Sequence, residues 1–427
     1  MSRGLRIISA LWFLALVNYL ERVAMGFAGP SIMKSLHMTP GEFGIILSSF
    51  GIGYLLAQVP GGLLADRWGA RMLLVVGPVL WAIFTGMTGL VSSLAAFVAV
   101  RICFGFSEGL SNTSVYKALG DHFPASRRAR VLGICSTAIP LAPAFAGAAI
   151  GALVLRYGWQ MMFFIMIIPS LLAALGCYLL LPAGHAPRVS ASRVGTPGSD
   201  SFRDVLKRPS VWILSLACFA WNMPYWGFLG WMPSYLAIAH HIDLKAVGAL
   251  GSLIYIFAFI GLLIGGWLGS SILERRCPEL VVACFAGAAI CLVIAYRGGT
   301  LGLAVAGLSG AAFFLFGTSG PVGKVALDLA PERQRGVFVG IYNTAGHAGG
   351  ALAPAVIGWL VGATGSFAAG FLFMIAGLAV AAVCFLGLAS TGGGAQDNPS
   401  VPPQAMRNDP ERDADIGVTS LSSARNA

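Results

Sequence analysis

Apolar stretches of membrane-spanning length follow one another almost without pause through this chain, and that succession limits its possible folds more than any other feature. Read against their polar punctuation, the first six run roughly over 7–30, 42–64, 72–92, 94–118, 131–154 and 159–182. Six more run roughly over 209–238, 246–269, 279–296, 300–325, 336–361 and 367–390. About 20 apolar residues suffice to cross a bilayer as a helix. An open chain in lipid must satisfy its backbone internally, and the alternation of a strand is absent, so the stretches read as helices. Hydrophobic residues make up 57% of the chain and charged residues 10%, against about 25% charged in soluble domains. The expected fold is therefore all-α integral membrane, with twelve transmembrane helices.

Lysine and arginine fix the expected orientation, because cytoplasmic loops collect them. With both termini inside, that side takes Arg3, Arg6, Arg67, Arg71, Lys117, Arg127, Arg128, Arg130, Arg188, Arg193, Arg203, Lys207, Arg208, Arg275, Arg276, Lys324, Arg333 and Arg335. The other side takes only Lys34, Arg156, Lys245 and Arg297. This predicts a multi-pass protein of a bacterial inner (plasma) membrane with both termini cytoplasmic. The net charge of +10 then reflects basic loops against anionic lipid, and nucleic acid is not an expected partner. The first span is too long for a signal peptide and lacks a small-residue cleavage site, so it reads as retained. Eight cysteines are scattered without a C-x-x-C pair, which indicates neither a disulfide framework nor a metal site. No cofactor is expected.

Residues 183–208 are rich in Pro, Ser, Gly and Arg, and 391–427 are polar and poor in aromatics. The expected organisation is a six-helix half over 1–182, a cytoplasmic linker over 183–208, a second six-helix half over 209–390 and a disordered cytoplasmic tail over 391–427. The halves resemble each other. Lys117, Asp121, Pro124 and Gly133 recur at one constant offset as Lys324, Asp328, Pro331 and Gly340, and G-G-L-L-A-D-R at Gly61–Arg67 is echoed by G-G-W-L-G-S-S at Gly265–Ser271. Duplicated six-span halves are a transporter architecture, with the solute site near the midplane between them.

Four ionisable residues lie deep in these spans: Glu21, Arg22, Arg101 and Glu108. A charge at that depth costs about 2.5–3.5 kcal/mol on insertion scales and normally faces a bundle interior or a wet cavity. Arg101, Gly105, Glu108 and Asn112 form one stripe of a helix, and Glu21 lies about 20 Å along its span, in roughly the layer of Arg101. Glu21 and Arg22 point about 100° apart, so one of them faces the fourth span. Carboxylates there can exchange protons, which assigns proton coupling to Glu21 and Glu108. Arginine stays charged and grips a carboxylate with two donors, which assigns anion binding to Arg22 and Arg101. The alternative is that all four merely orient helices as static ion pairs. Asn18, Asn112, Asn222, Tyr225, Trp226 and Asn343 are candidates to complete a solute site, with Pro224 marking a bend. His347 is a further titratable candidate.

The segment G-x-x-A-D-R-x-G-x-R at Gly62–Arg71 resembles the loop motif between the second and third spans of the major facilitator superfamily. More specific are N-Y-L-E-R at Asn18–Arg22, F-G-I-G-Y at Phe50–Tyr54, R-I-C-F-G-F-S-E at Arg101–Glu108, W-N-M-P-Y-W-G-F-L-G-W-M-P-S-Y-L at Trp221–Leu236 and N-T-A-G-H-A-G-G-A-L-A-P at Asn343–Pro354. Together these resemble the anion:cation symporter branch, which includes bacterial sugar-acid, tartrate and hexuronate transporters. The resemblance implies two pseudo-symmetric six-helix halves, proton-coupled uptake of a small organic anion such as a sugar acid or dicarboxylate, and a functional monomer. It implies solute contact by Tyr54, and a conformational latch formed by Asp66, Arg67, Arg71 and Arg130 at the cytoplasmic mouth. In that latch Asp66 would meet the start of the eleventh span or an arginine near the fifth.

Two departures shape what is carried over. Glu21 stands where the branch commonly has aspartate, and Ser136, Thr137, Ala138, Ile139 and Pro140 stand where sugar-acid members often place Gly and Gln. The implied solute is thus the broader class of small carboxylates. An enzyme is disfavoured, because there is no H-E-x-x-H, G-x-S-x-G or phosphate-cradling G-x-x-x-x-G-K-[ST]. The remaining alternative is a facilitator or exporter without proton coupling.

Overall fold

Thr39, Ser93, Asp243 and Thr300 each cap a helix by accepting the backbone N–H three residues on, and Gly69, Gly298 and Gly365 follow helix ends. A computed structural model describes residues 3–182, 199–331 and 334–390. The expected tail over 391–427, and the linker as far as residue 198, lie outside the described residues. In chain order the helices are α1 (Arg3–Leu36), α2 (Pro40–Trp68), α3 (Ala70–Thr88), α4 (Leu94–His122), α5 (Ala125–Ser136), α6 (Ala138–Leu180), α7 (Ser199–Leu206), α8 (Pro209–Ala239), α9 (Leu244–Ser270), α10 (Cys277–Arg297), α11 (Leu301–Gly317), α12 (Ser319–Leu329), α13 (Arg335–Thr364) and α14 (Ala368–Ser390). Among the described residues, ten stretches are long and apolar enough to cross a membrane. One of these, Arg130–Leu180, is folded into two crossings at Gly158, whose φ of 82° favours a residue without a side chain. The 31-residue α8 completes twelve.

The main pairings of helices in the first half recur in the second. α1 packs on α6 as α8 packs on α13 and α14, α2 on α4 as α9 on α11, and α3 on α4 and α6 as α10 on α11 and α14. The correspondence reaches single residues. Thr39 caps α2 and Asp243 caps α9 at equivalent positions, each accepting the backbone N–H three residues on. His37 after α1 and His241 after α8 share a φ of 52°. This is the major facilitator fold: two pseudo-symmetric six-helix halves built by duplication.

Between the halves α2 meets α13 and α6 meets α9, again as symmetric partners, while α1 meets α8 on the axis. The tightest approaches lie toward the end of the bundle that holds Leu36, Gly158 and His240, called the far end. A Cβ on Gly44 would stand 2.6 Å from Pro354 O, and one on Gly358 2.4 Å from Pro40 O. The equivalent residues repeat this: Gly248 against Gly147 O at 2.4 Å and Gly151 against Leu244 O at 2.7 Å. Each seam carries the same hydrogen bond, from Ala355 N to Ser48 Oγ (2.8 Å) and from Ala148 N to Ser252 Oγ (3.1 Å). Toward the near end, which holds Arg3 and Ser390, the halves part. Gly133 and Gly340, equivalent by the repeat, have open space where a Cβ would stand, and Tyr116, Asn343 and Thr344 are exposed. The bundle is closed at its far end and open at its near end.

Candidate functional site

Two glycines bring the site together. A Cβ on Gly53 would lie 1.9 Å from Ile102 O and one on Gly105 2.1 Å from Phe50 O, so α2 and α4 touch backbone to backbone. That contact wedges the Phe50 ring between two buried cations, Arg22 at 5.0 Å and Arg101 at 5.3 Å from its centre. Arg22 donates from Nε to Glu108 Oε2 at 2.6 Å, with both side chains buried. Tyr19, Tyr54 and Trp226 present their rings to the same guanidinium at 4.8, 4.9 and 5.5 Å. Arg101 lies over Phe104 at 4.6 Å, makes no ion pair or hydrogen bond among the described residues, and leaves its Nε unpartnered.

Helix geometry leaves open which of Glu21 and Arg22 faces the fourth span, and the structure turns Arg22 to Glu108. Seven residues of helix separate Arg101 from Glu108 by about 10 Å along the axis, too far for contact even on one face. Glu21 turns away from the cavity. Its Oε2 accepts from Thr85 Oγ1 of α3 at 2.8 Å, and its Oε1 meets Ser170 Oγ of α6. All of these groups are buried.

The second half supplies an aromatic wall without a charge. His347 of α13 packs on Tyr54 with centroids 5.0 Å apart, and Trp226 of α8 packs on Phe50 at 6.2 Å. Between them lies a cavity of about 30 Å³, lined by Leu47, Phe50, Gly51, Tyr54, Trp226, His347, Gly350, Ala351 and Pro354. It lies across the interface of the halves, beside the Arg22 cluster.

A model of the Major Facilitator Superfamily matches residues 11–354. The chain belongs to the major facilitator superfamily. It is 28% identical over 391 residues to the hexuronate transporter of Bacillus subtilis (strain 168), covering 88% of this chain and 92% of that one. It is 29% identical over 377 residues to the probable L-galactonate transporter of Escherichia coli (strain K12), covering 84% and 83%. Its fold matches the crystal structure of a bacterial homolog to the human lysosomal transporter Spinster, in inward-facing and occupied conformation, with a TM-score of 0.76, 18% identity and coverage of 90% and 96%. These relatives are membrane transporters, and this superfamily member is a transporter of their kind, not an enzyme.

In this major facilitator the other sequence candidates divide by position. Asn18 lies beside Glu108. Asn112 is half-buried one turn beyond Glu108. Asn222 is spent on structure, donating to Cys218 O at 2.9 Å and accepting from Trp226 Nε1 at 3.2 Å, so it holds the tryptophan ring in place. Tyr225 is buried against Phe316 at 4.8 Å. Asn343 is exposed toward the near end. The loop residues are engaged within their own half: Asp66 pairs with Lys117 at 2.8 Å, and Arg71 donates to Tyr178 O at 2.5 Å. Arg67 and Arg130 are exposed. Lys117 takes the place of the partners that the sequence suggests for Asp66, of which the eleventh span is held away by the open near end. Arg128 in turn bonds Phe123 O and Gly120 O.

The structure adds residues that sequence reading passes over. Thr85 and Ser170 hold Glu21, yet single hydroxyls in apolar helices leave no pattern to read. Tyr116 could have been found, since it extends the stripe of Glu108 and Asn112 by one more turn. It is 57% exposed, as a wall of the open cavity would be.

Proposed function

We propose that this transporter is a proton-coupled symporter that takes up a small organic anion, a carboxylate such as a sugar acid, by alternating access. The observation that carries the reading is the buried cluster of Arg22, Glu108, Arg101 and Glu21, which pairs one cation and leaves another free beside the interface of the halves. A buried arginine without a counter-ion costs stability that an arriving carboxylate would restore. Arg101 is the anchor, and Arg22 with Glu108 forms the ion pair that solute and proton rearrange. Glu21, enclosed by Thr85 and Ser170, stores the proton apart from the solute. Tyr54, Asn18, Asn112 and His347 face or border the path, while Asn222 and Tyr225 support Trp226. Asp66, Arg67, Arg71 and Arg130 form a latch at the near end that is disengaged in this state. With the basic loops on the cytoplasmic side of an inner membrane, the near end faces the cytoplasm and this state is inward-open. The protein works as a monomer in lipid.

The names of the relatives, a hexuronate and a probable L-galactonate transporter, support the solute class. The test is uptake by purified protein in proteoliposomes. An imposed inward proton gradient should concentrate labelled galactonate or glucuronate above its external level. Equilibration without accumulation would assign a facilitator instead.

A further inference from the structure

We infer that the site takes a monovalent anion, a monocarboxylate, and carries it with one proton so that the buried layer crosses without net charge. This deepens the symport reading and rests on it. Four ionisable groups make up the layer, and Arg22 is committed to Glu108 at 2.6 Å. Arg101 is left without a partner. Thr85 donates to Glu21 Oε2, and Ser170 Oγ contacts both Glu21 Oε1 and Met166 O, the latter at 3.0 Å. A serine hydroxyl has a single hydrogen. That hydrogen can go to Glu21 Oε1 or to Met166 O, so Thr85 and Ser170 enclose the Glu21 carboxyl with hydroxyls, apart from the solute. His347 packs on Tyr54, whose ring already faces the Arg22 guanidinium, where a proton on it would set a second cation beside the first, so it counts as neutral. With the coupling proton on Glu21, as the symport reading has it, the layer holds one uncompensated positive charge, on Arg101.

One carboxylate cancels it. When solute leaves and Glu21 gives up its proton, the new carboxylate lies within electrostatic reach of Arg101 and the layer is neutral again. Loaded and empty carriers thus both avoid the cost of moving a net charge through a low-dielectric core. A dicarboxylate would leave one negative charge over, or require Glu108 to be protonated and its bond to Arg22 lost.

Two arms with purified protein in proteoliposomes test this, using galactonate and galactarate, which share a six-carbon polyol chain and differ in one carboxylate. In counterflow of labelled galactonate at equal pH on both sides, galactarate should compete at least tenfold more weakly than unlabelled galactonate. At a fixed proton gradient, a potassium-valinomycin potential should change the initial rate of galactonate uptake less than twofold. Equal competition by galactarate, counterflow of neither acid, or tenfold acceleration by an inside-negative potential would overturn the inference. If counterflow prefers galactonate but a proton gradient drives no accumulation, the symport reading and the one-proton assignment fall together. The monoanion preference then stands on the counterflow arm.

Discussion

The two halves share a scaffold residue for residue and divide the chemistry unequally. Glu21 and Arg22 of α1 correspond by the repeat to Tyr225 and Trp226 of α8, and Arg101 and Glu108 of α4 to Leu308 and Leu315 of α11. The first half supplies every charge of the cluster, and the second supplies a flat aromatic surface that closes over it. At the far end the halves contribute alike, through matched glycines and the serine bonds of Ser48 and Ser252. Duplication has thus kept symmetry where the halves must part and meet again, and lost it where a solute must be told from its mirror placement. The loops show the same drift on a smaller scale. Lys117 finds Asp66, while its counterpart Lys324 turns to Asp328 at 2.7 Å, because Ser270 stands where an acid would have to be.

This contrast can be broken at the charged layer first, where the effects should be largest. Arg101→Gln is expected to lower uptake about a hundredfold, the order of losing one buried charge partner, with Arg101→Lys intermediate; equal activity of the glutamine variant would remove the anchor. Arg22→Gln leaves Glu108 uncompensated and should destabilise the protein by about 3–5 kcal/mol, whereas Arg22→Met with Glu108→Leu, making the layer as apolar as the second half, should restore thermal stability without transport. Next come the far-end seams. Gly44→Leu and Gly248→Leu should each prevent closure, raising far-end accessibility to labelling tenfold or more and to the same degree, since overpacking costs about 1–3 kcal/mol. Ser48→Ala and Ser252→Ala each remove a bond of about 1 kcal/mol and should shift the same equilibrium about fivefold. Unequal shifts would show that the seams are symmetric in form only. Smallest is Asp66→Ser, which copies the second half's sequence and removes an exposed pair of about 0.2–1 kcal/mol. Its effect on the labelled populations should be at most a fewfold.

Much of the fold was legible because lipid leaves so few choices. A backbone without water must form helices, so apolar length read against polar punctuation suffices for the twelve crossings. The stripe on α4 was legible for the same reason, as helical periodicity fixes which residues share a face. Periodicity says nothing of the partner across a gap, which is why the choice between Glu21 and Arg22 as the neighbour of Glu108 needs the structure. The hydroxyls around Glu21 and the serine bonds of the seams were hidden too. Each depends on how closely two helices approach, which is set by glycines distant in sequence. The engagement of Asp66 depends on conformational state, and a sequence encodes all states at once.

The account turns on Glu21 carrying the proton while Arg101 carries the anion, and solute-induced proton movement tests that division directly. Galactonate added to unenergised, weakly buffered proteoliposomes should alkalinise the outer medium with wild-type protein. Glu21→Gln, which fixes the neutral form, should keep galactonate counterflow and abolish the alkalinisation. Full alkalinisation by the Glu21→Gln protein would contradict the account.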